Sequence, residues 1–219
     1  MHPHDTSIPP GRARHAPATA RNREPIFAVL QRILPATGGE LLEVASGTGE
    51  HAAALAPRLP GWRWHPTDLD PENLESIDAW AERAGGAVAP ARALDVLRGP
   101  WPEGPFHAGF CANMIHISPW ACTPALLSGM AARLQPGAPL VLYGPFHRGG
   151  APTAPSNAAF DADLRRRDPA WGVRHLEAVL AEAERVGFAL VELIEMPANN
   201  LCVALRAGGA QRPVAEKCW

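Results

Sequence analysis

The run Leu41-Leu42-Glu43-Val44-Ala45-Ser46-Gly47-Thr48-Gly49-Glu50-His51 constrains the fold of this chain more than any other stretch. An apolar strand ends on an acid and enters a small, glycine-rich turn that opens a helix. Gly47 and Gly49 can take positive φ and carry no Cβ, so the backbone can come close to a ligand while the helix aims unpaired N–H groups at it. A strand, turn and helix of this kind belong to an open α/β sheet that holds a nucleotide-type cofactor at its carboxyl edge.

Two readings of the turn are open. As Gly47-x-Gly49-x-x-Ala52 it fits the dinucleotide fingerprint, and as Glu43-x-Ala45-x-Gly47-x-Gly49 it resembles the first motif of class I S-adenosylmethionine (SAM) methyltransferases. Asp68 ends the apolar stretch Trp62 to Thr67, 19 residues after Gly49 (68 − 49). That spacing suits a carboxylate that accepts hydrogen bonds from a ribose diol under either reading. Asp95, closing Ala91-Arg92-Ala93-Leu94, favours SAM, because methyltransferases hold the adenine amino group at the end of the third strand. A fourth strand, Ala108 to Ala112, delivers Asn113 and His116 to the same edge. Asp70, before Pro71, reads as a helix N-cap with proline at the first helical position. Ala45 replaces the first glycine of the class I turn, and its methyl group is expected to require an ordinary negative φ.

Composition narrows the class further. The 219 residues can bury one full core, and the net charge of −2 supplies no basic field for nucleic acid. Arg165-Arg166-Arg167 reads as a solvated helix face. No apolar run is long enough for a signal or a membrane span, which points to the cytoplasm. Cys111, Cys122, Cys202 and Cys218 show no CxxC or metal spacing and are expected as free thiols in a reducing compartment. The histidines show no metal-binding arrangement, so no metal is expected, and His2 and His4 fall in an end without apolar periodicity.

Residues 1–20 and 208–219 read as flexible ends around a single domain, 21–207. Within it, helix and strand signals alternate: helix 23–34, strand 41–45, helix 50–59, strand 62–67, helix 71–84, strand 91–94 and strand 106–112. A helix after Ser118-Pro119, strand 140–143, helix 175–187 and strands 190–196 and 201–205 complete the series. The last two strands are joined by the short turn Pro197-Ala198-Asn199-Asn200 and must therefore be antiparallel. The fold class expected is a Rossmann-like class I methyltransferase: a mostly parallel seven-stranded sheet with a C-terminal antiparallel hairpin and helices on both faces. The segment 144–174 interrupts the alternation and reads as a lid or substrate insertion.

From Arg21 to about Arg206 the chain resembles the methyltransferase-like 26 family of class I methyltransferase relatives. The carriers are Arg21-Asn22-x-Glu24-Pro25-Ile26, the turn from Glu43 to Ala52 with Ser46 and His51, Asp68 with Asp70, and Asn113-Met114-x-His116-x-Ser118-Pro119. Further carriers are Tyr143-Gly144-Pro145, Ser156-Asn157-x-x-Phe160-Asp161, Pro169-x-Trp171-Gly172-x-Arg174 and Met196-Pro197-Ala198-Asn199-Asn200. The resemblance implies the fold and SAM binding, with S-adenosylhomocysteine as product, and no particular methyl acceptor. Asn113 stands where many amine methyltransferases carry an acid-proline-proline-aromatic motif, which argues against an amide or exocyclic amine acceptor.

The expected cofactor residues are Asn22, Glu43, Ala45, Ser46, Gly47, Gly49, His51, Asp68, Asp95, Val96 and Asn113. Methyl transfer from a sulfonium asks chiefly for an in-line nucleophile, because the cofactor carries the activated methyl. His116, as a base, and Tyr143 are the catalytic candidates, against packing roles for both. Asn157, Asp161, Trp171, Arg174, Asn199 and Asn200 are the candidates for holding a small-molecule acceptor. Arg174 could bind an acceptor carboxylate or phosphate, or pair with Asp161 or Asp168 to lock the insertion. Two other activities share these residues: a SAM-cleaving or SAM-cyclising enzyme and a non-catalytic SAM-binding module.

Overall fold

The computed structural model describes residues 13–208. Seven strands form the spine of the sheet, and apolar runs occupy its middle. They are β1 (Gly39–Val44), β2 (Trp62–Asp68), β3 (Arg92–Ala93), β4 (Ala108–Ala112), β5 (Pro139–Arg148), β8 (Phe188–Met196) and β9 (Asn200–Ala207), in the order β3-β2-β1-β4-β5-β9-β8. The first five are parallel, and β9 runs antiparallel to both β5 and β8. Two-residue strands β6 (Ala151–Pro152) and β7 (Arg174–His175) pair with the outer end of β5. This is the expected Rossmann-like methyltransferase sheet, closed by the expected hairpin.

Alternate residues of each central strand feed opposite layers, as the period of two requires. Leu42, Cys111, Leu140 and Leu142 pack with Leu126 and Met130 of α4 (Cys122–Ala131) and Val179 of α6 (Leu176–Arg185). Leu41, Phe110, Val141 and Tyr143 pack on the other face with Ile26 and Leu30 of α1 (Pro17–Ile33) and Leu55 of α2 (Glu50–Leu55). Strand β1 lies between β2 and β4, so the chain reverses its direction of travel across the sheet there, and the carboxyl ends of β1 and β4 diverge into a crevice.

Several boundaries differ from the sequence reading, each for a tertiary reason. Residues 14–20, read as part of a flexible end, are docked. The Arg14 N–H donates to Ser76 Oγ at 2.8 Å, the Ala16 N–H donates to the Glu50 carboxylate at 3.0 Å, and α1 is under way from Pro17. Strand β5 does not stop at Tyr143. Gly144 and Pro145 pair with Leu201 and Asn200 of β9, which carries the strand on to Arg148. Much of the insertion is a helix, α5 (Pro155–Arg167), on which Asn157 and Asp161 hold the helical spacing expected of them. Asp70 caps α3 (Pro71–Ala81) as read, accepting from the Glu72 N–H at 2.9 Å. Cys111, Cys122 and Cys202 are free, buried thiols, whereas Cys218, His2, His4 and the C-terminal end from 209 lie outside the described residues.

Gly49 joins the turn after β1 to α2 and α3. Its φ is +82°, and a Cβ there would stand 2.6 Å from Ile77 Cα. Gly49→Ala combines left-handed strain with a clash against helix backbone and is expected to lower unfolding free energy by about 2 to 4 kcal/mol. Urea unfolding followed by far-UV circular dichroism measures it, and an unchanged midpoint would refute the packing account.

Candidate functional site

The turn after β1 is built from alternating left-handed residues: Ala45 at φ +57°, Gly47 at +58° and Gly49 at +82°. The expectation of a negative φ at Ala45 is therefore corrected. The turn's own hydrogen bonds override the local preference, since the Ser46 N–H donates to Thr67 O at 2.8 Å and the Gly47 N–H to Asp68 Oδ2 at 2.8 Å. Asp68 also accepts on Oδ1 from the Asp70 N–H at 3.0 Å and from Asn73 Nδ2 at 2.9 Å. The carboxylate expected to take a ribose thus first holds the glycine turn in shape. Asp95 lies beyond the two residues of β3 and accepts from the Leu97 N–H at 2.8 Å. Leu69 and Leu97, 65 % and 53 % exposed, follow these two acids and offer apolar walls to a flat ring. Neither leucine carries a signal along the chain, because its exposure is set by the fold. Val96 packs against the α4-side core.

Glu43, at the end of β1, is 1 % exposed and accepts from Trp64 Nε1 at 2.8 Å. Burial pushes its carboxyl up to about 7. It braces the turn from within the core. Ser46 Oγ, buried in the turn, lies close enough to the Glu43 carboxyl to oppose part of that rise. His51 Nε2 donates to Asn22 Oδ1 at 2.8 Å, and burial lowers the His51 pKa to about 4, so the ring is neutral.

Beside this turn lies a cleft of about 450 Å³. It is lined by Ala18, Arg21 and Asn22 of α1, Asn113 after β4, Tyr143 and Pro145 of β5, Ser156, Asn157 and Phe160 of α5, and Pro197, Ala198 and Asn200 of the hairpin. Asn113 is left-handed at φ +62°, and its N–H donates to Tyr143 O at 2.7 Å. Burial raises the Tyr143 hydroxyl above its ordinary pKa, with the neighbouring Asn22 side chain acting in the opposite sense. The Asn157 amide donates to Thr153 Oγ1 at 2.7 Å and to Asn199 O at 3.0 Å, tying α5 to the hairpin across the cleft. Asn199 Nδ2 in turn reaches Ser156 Oγ at 2.9 Å, and Asn200 Nδ2 donates to Pro197 O at 3.1 Å.

Five acceptor-side candidates lie outside that lining: Asn199, bound to Ser156 as above, and His116, Arg174, Asp161 and Trp171. His116 is wholly enclosed. Its Nδ1 accepts from the Arg174 N–H at 3.2 Å, its ring meets Phe146 edge-on, and burial drops its pKa to about 3, so it cannot serve as a base near neutrality. Arg174 is absent from the cleft lining, and among the described residues it locks the insertion through carbonyls and not through the ion pair with Asp161 or Asp168 that the sequence allowed. Its guanidinium donates to three carbonyls, Ile115 O at 2.8 Å, Ser118 O at 2.6 Å and Ala170 O at 2.9 Å. Asp161 accepts from Arg165 Nε at 2.8 Å and from the Val173 N–H at 2.7 Å, which fixes the segment before β7. Trp171 lies under the Arg167 guanidinium, 5.1 Å from its ring centre, while Arg165 and Arg166 pair with acids on the exposed helix face. Arg21, Ser156, Phe160 and Pro197, which the sequence offered only as carriers of the family resemblance and not as site candidates, also line the cleft. Only the fold gathers them there.

The profile of the family described as protein of unknown function (DUF938) matches residues 13–207. Solved structures similar to this fold include an O-methyltransferase family protein from Burkholderia thailandensis, 15% identical with a TM-score of 0.76, covering 89% of this chain and 58% of that one. An O-methyltransferase family 2 protein from Planctomyces limnophilus in complex with apigenin is 22% identical, with a TM-score of 0.70 and coverage of 86% and 59%. Human N-acetylserotonin methyltransferase in complex with SAM is 15% identical, with a TM-score of 0.70 and coverage of 87% and 54%. The chain thus spans a little over half the length of each of these proteins. No helix among the described residues is long and apolar enough to cross a membrane, and no group of three His, Cys, Asp or Glu there could hold a metal.

Arg174→Ala is expected to strip donors from three carbonyls and to cost about 2 to 4 kcal/mol of stability, read as a fall in urea midpoint. A variant with wild-type stability would return Arg174 to the acceptor side. Glu43 makes a pH prediction. Its folded pKa of about 7 lies above the ordinary 4.5, so the stability it contributes is complete below 4.5 and is lost as pH rises through 7. The full effect is about 3 kcal/mol at 1.36 kcal/mol per unit. His51 and His116 act oppositely, losing stability as pH falls below their ordinary 6.5 toward about 4 and about 3. Subtracting wild type from Glu43→Gln cancels them. The variant is expected to gain about 2 kcal/mol or more on wild type between about pH 5 and about pH 8. A difference independent of pH would show that the carboxyl is ionised throughout.

Proposed function

We propose that this chain, which belongs to the DUF938 family, transfers a methyl group from SAM to a small-molecule acceptor and releases S-adenosylhomocysteine. The observation that carries this reading is the adjacency of the left-handed turn and the cleft. Strands β1 and β4 pair directly, Val44 beside Cys111, so the turn after β1 and Asn113 after β4 share one edge of the sheet. Structural neighbours named as methyltransferases, two of them as O-methyltransferases and another in complex with SAM, support it at the level of the fold. Within the family we read the chain as akin to methyltransferase-like 26, on the motifs it shares. The free, buried thiols accord with a cytoplasmic enzyme.

The residues present fit the cofactor. Asp68 would hold the ribose, Leu69 and Leu97 would flank the adenine ring, Asp95 would meet its amino group, and the left-handed turn would receive the methionine end. SAM, when bound, supplies an electrophilic methyl. The protein's part is to hold the acceptor in line and to keep water from the reacting pair. Tyr143 and Asn113, where β5 and β4 meet the cleft, are placed to orient that acceptor.

Calorimetry is expected to show binding of SAM and S-adenosylhomocysteine and none of NAD; NAD binding with no response to either SAM species would sink the assignment. Asp68→Ala removes charged hydrogen bonds to the ribose and releases Gly47, so cofactor affinity should fall about tenfold or more. Product analysis separates methyl transfer from cofactor cleavage, which would release methylthioadenosine instead.

A further inference from the structure

The cleft carries a chemical bias. Among the described residues that line it there is one cation, Arg21, and there is neither a carboxylate nor an imidazole. Arg21 is exposed and has no ion-pair partner among the described residues, whereas the other arginines near the cleft, Arg165 and Arg174, are committed to Asp161 and to backbone carbonyls. Burial keeps the Tyr143 hydroxyl protonated and therefore able to donate. Asn22 gives its oxygen to His51 and turns its amide N–H side toward the Tyr143 hydroxyl. His116, the histidine nearest in sequence to the cleft's Asn113, is sealed in neutral form.

These groups sort the possible acceptors. An alcohol or phenol would have to lose a proton, and no side chain of the lining can take it near neutrality. A thiol, with a pKa of about 8.5, would arrive mostly protonated. A carboxylate arrives already ionised, presents two oxygens that match a guanidinium fork, and offsets the positive charge that Arg21 and a sulfonium would otherwise place in one crevice. Phe160, Pro145 and Pro197 make the remaining wall apolar.

We propose, resting on the methyl-transfer reading, that the acceptor is a small organic carboxylate with an apolar body, seated against Arg21 and methylated on its own oxygen. A carboxylate lone pair forms the new O–CH3 bond as the C–S bond breaks and its electron pair returns to sulfur. The products are a methyl ester and a neutral thioether, and no proton moves.

Benzoate and its neutral isostere benzamide test this on the full chain. Ligand-observed NMR titration should show benzoate bound about fivefold or more tightly than benzamide, the scale of a partly exposed charged contact. Arg21→Gln should erase that preference, Arg21→Lys should restore part of it, and both should leave S-adenosylhomocysteine affinity within about twofold by calorimetry. Incubation with methyl-labelled SAM and benzoate should give a label that alkali releases as methanol, as an ester does and an ether does not. Equal binding of benzoate and benzamide overturns the proposal. So does an Arg21→Gln variant that loses cofactor affinity while keeping its benzoate preference, because Arg21 would then serve the cofactor's own carboxylate. A preference for benzoate in a protein that binds no SAM species would instead sink the methyl-transfer reading and leave an anion-binding cleft.

Discussion

The hydrogen bond from the Gly47 N–H to the Asp68 carboxylate is the contact on which the rest of the site depends. It ties the turn after β1 to the end of β2, two strands whose carboxyl ends lie side by side. Three left-handed residues in five would not persist in a free peptide, because a side chain in that region costs roughly 1 to 2 kcal/mol at Ala45 alone. The strain is offset by bonds that cross between strands, with Ser46 on Thr67 O and Gly47 on Asp68. Asp68 therefore shapes the turn, and that duty holds its carboxylate where the proposed cofactor would meet it.

The insertion shows the same economy. Polar residues there looked free for chemistry because no helix or strand period claimed them. Most answer a backbone need instead. The short 3₁₀ turn at Met114–His116 and the end of α5 leave carbonyls that must find donors, and Arg174 supplies them from one side chain. Asp161 does the reverse, accepting the Val173 N–H. The insertion is thereby fixed along one side, while its other side, from Ser156 to Phe160, faces the cleft.

What could be read from the sequence was what local patterns determine. Apolar runs marked β1, β2, β4 and β5, the short turn between β8 and β9 required their antiparallel pairing, and the Asp70 cap needed only its neighbours. What escaped was set at a distance. The left-handed Ala45 is imposed by β2, and the extension of β5 past Gly144-Pro145 is imposed by β9. His116 and Arg174 carry side chains that chemistry uses, and only their enclosure and their carbonyl partners reveal structural roles. Arg21 opens one of the motifs of the family resemblance, but nothing along the chain gives it a role. It becomes conspicuous when α1 brings it to a cleft with no other charge.

Charge is distributed by burial across this edge of the molecule. Desolvation holds His51 and His116 in their neutral forms behind the site and shifts Glu43 toward its protonated form, since a low-dielectric interior penalises the charged state of each. A neutral His51 keeps a second cation away from the place a sulfonium would occupy, and its Nε2–H fixes which way the Asn22 amide faces. Tyr143 is kept as a phenol by the same means. Among the described residues that line the cleft, Arg21 is the one charge, joined by whatever charge the ligands bring. A site of this kind selects its acceptor by what the acceptor already carries, because it holds few charges with which to change it.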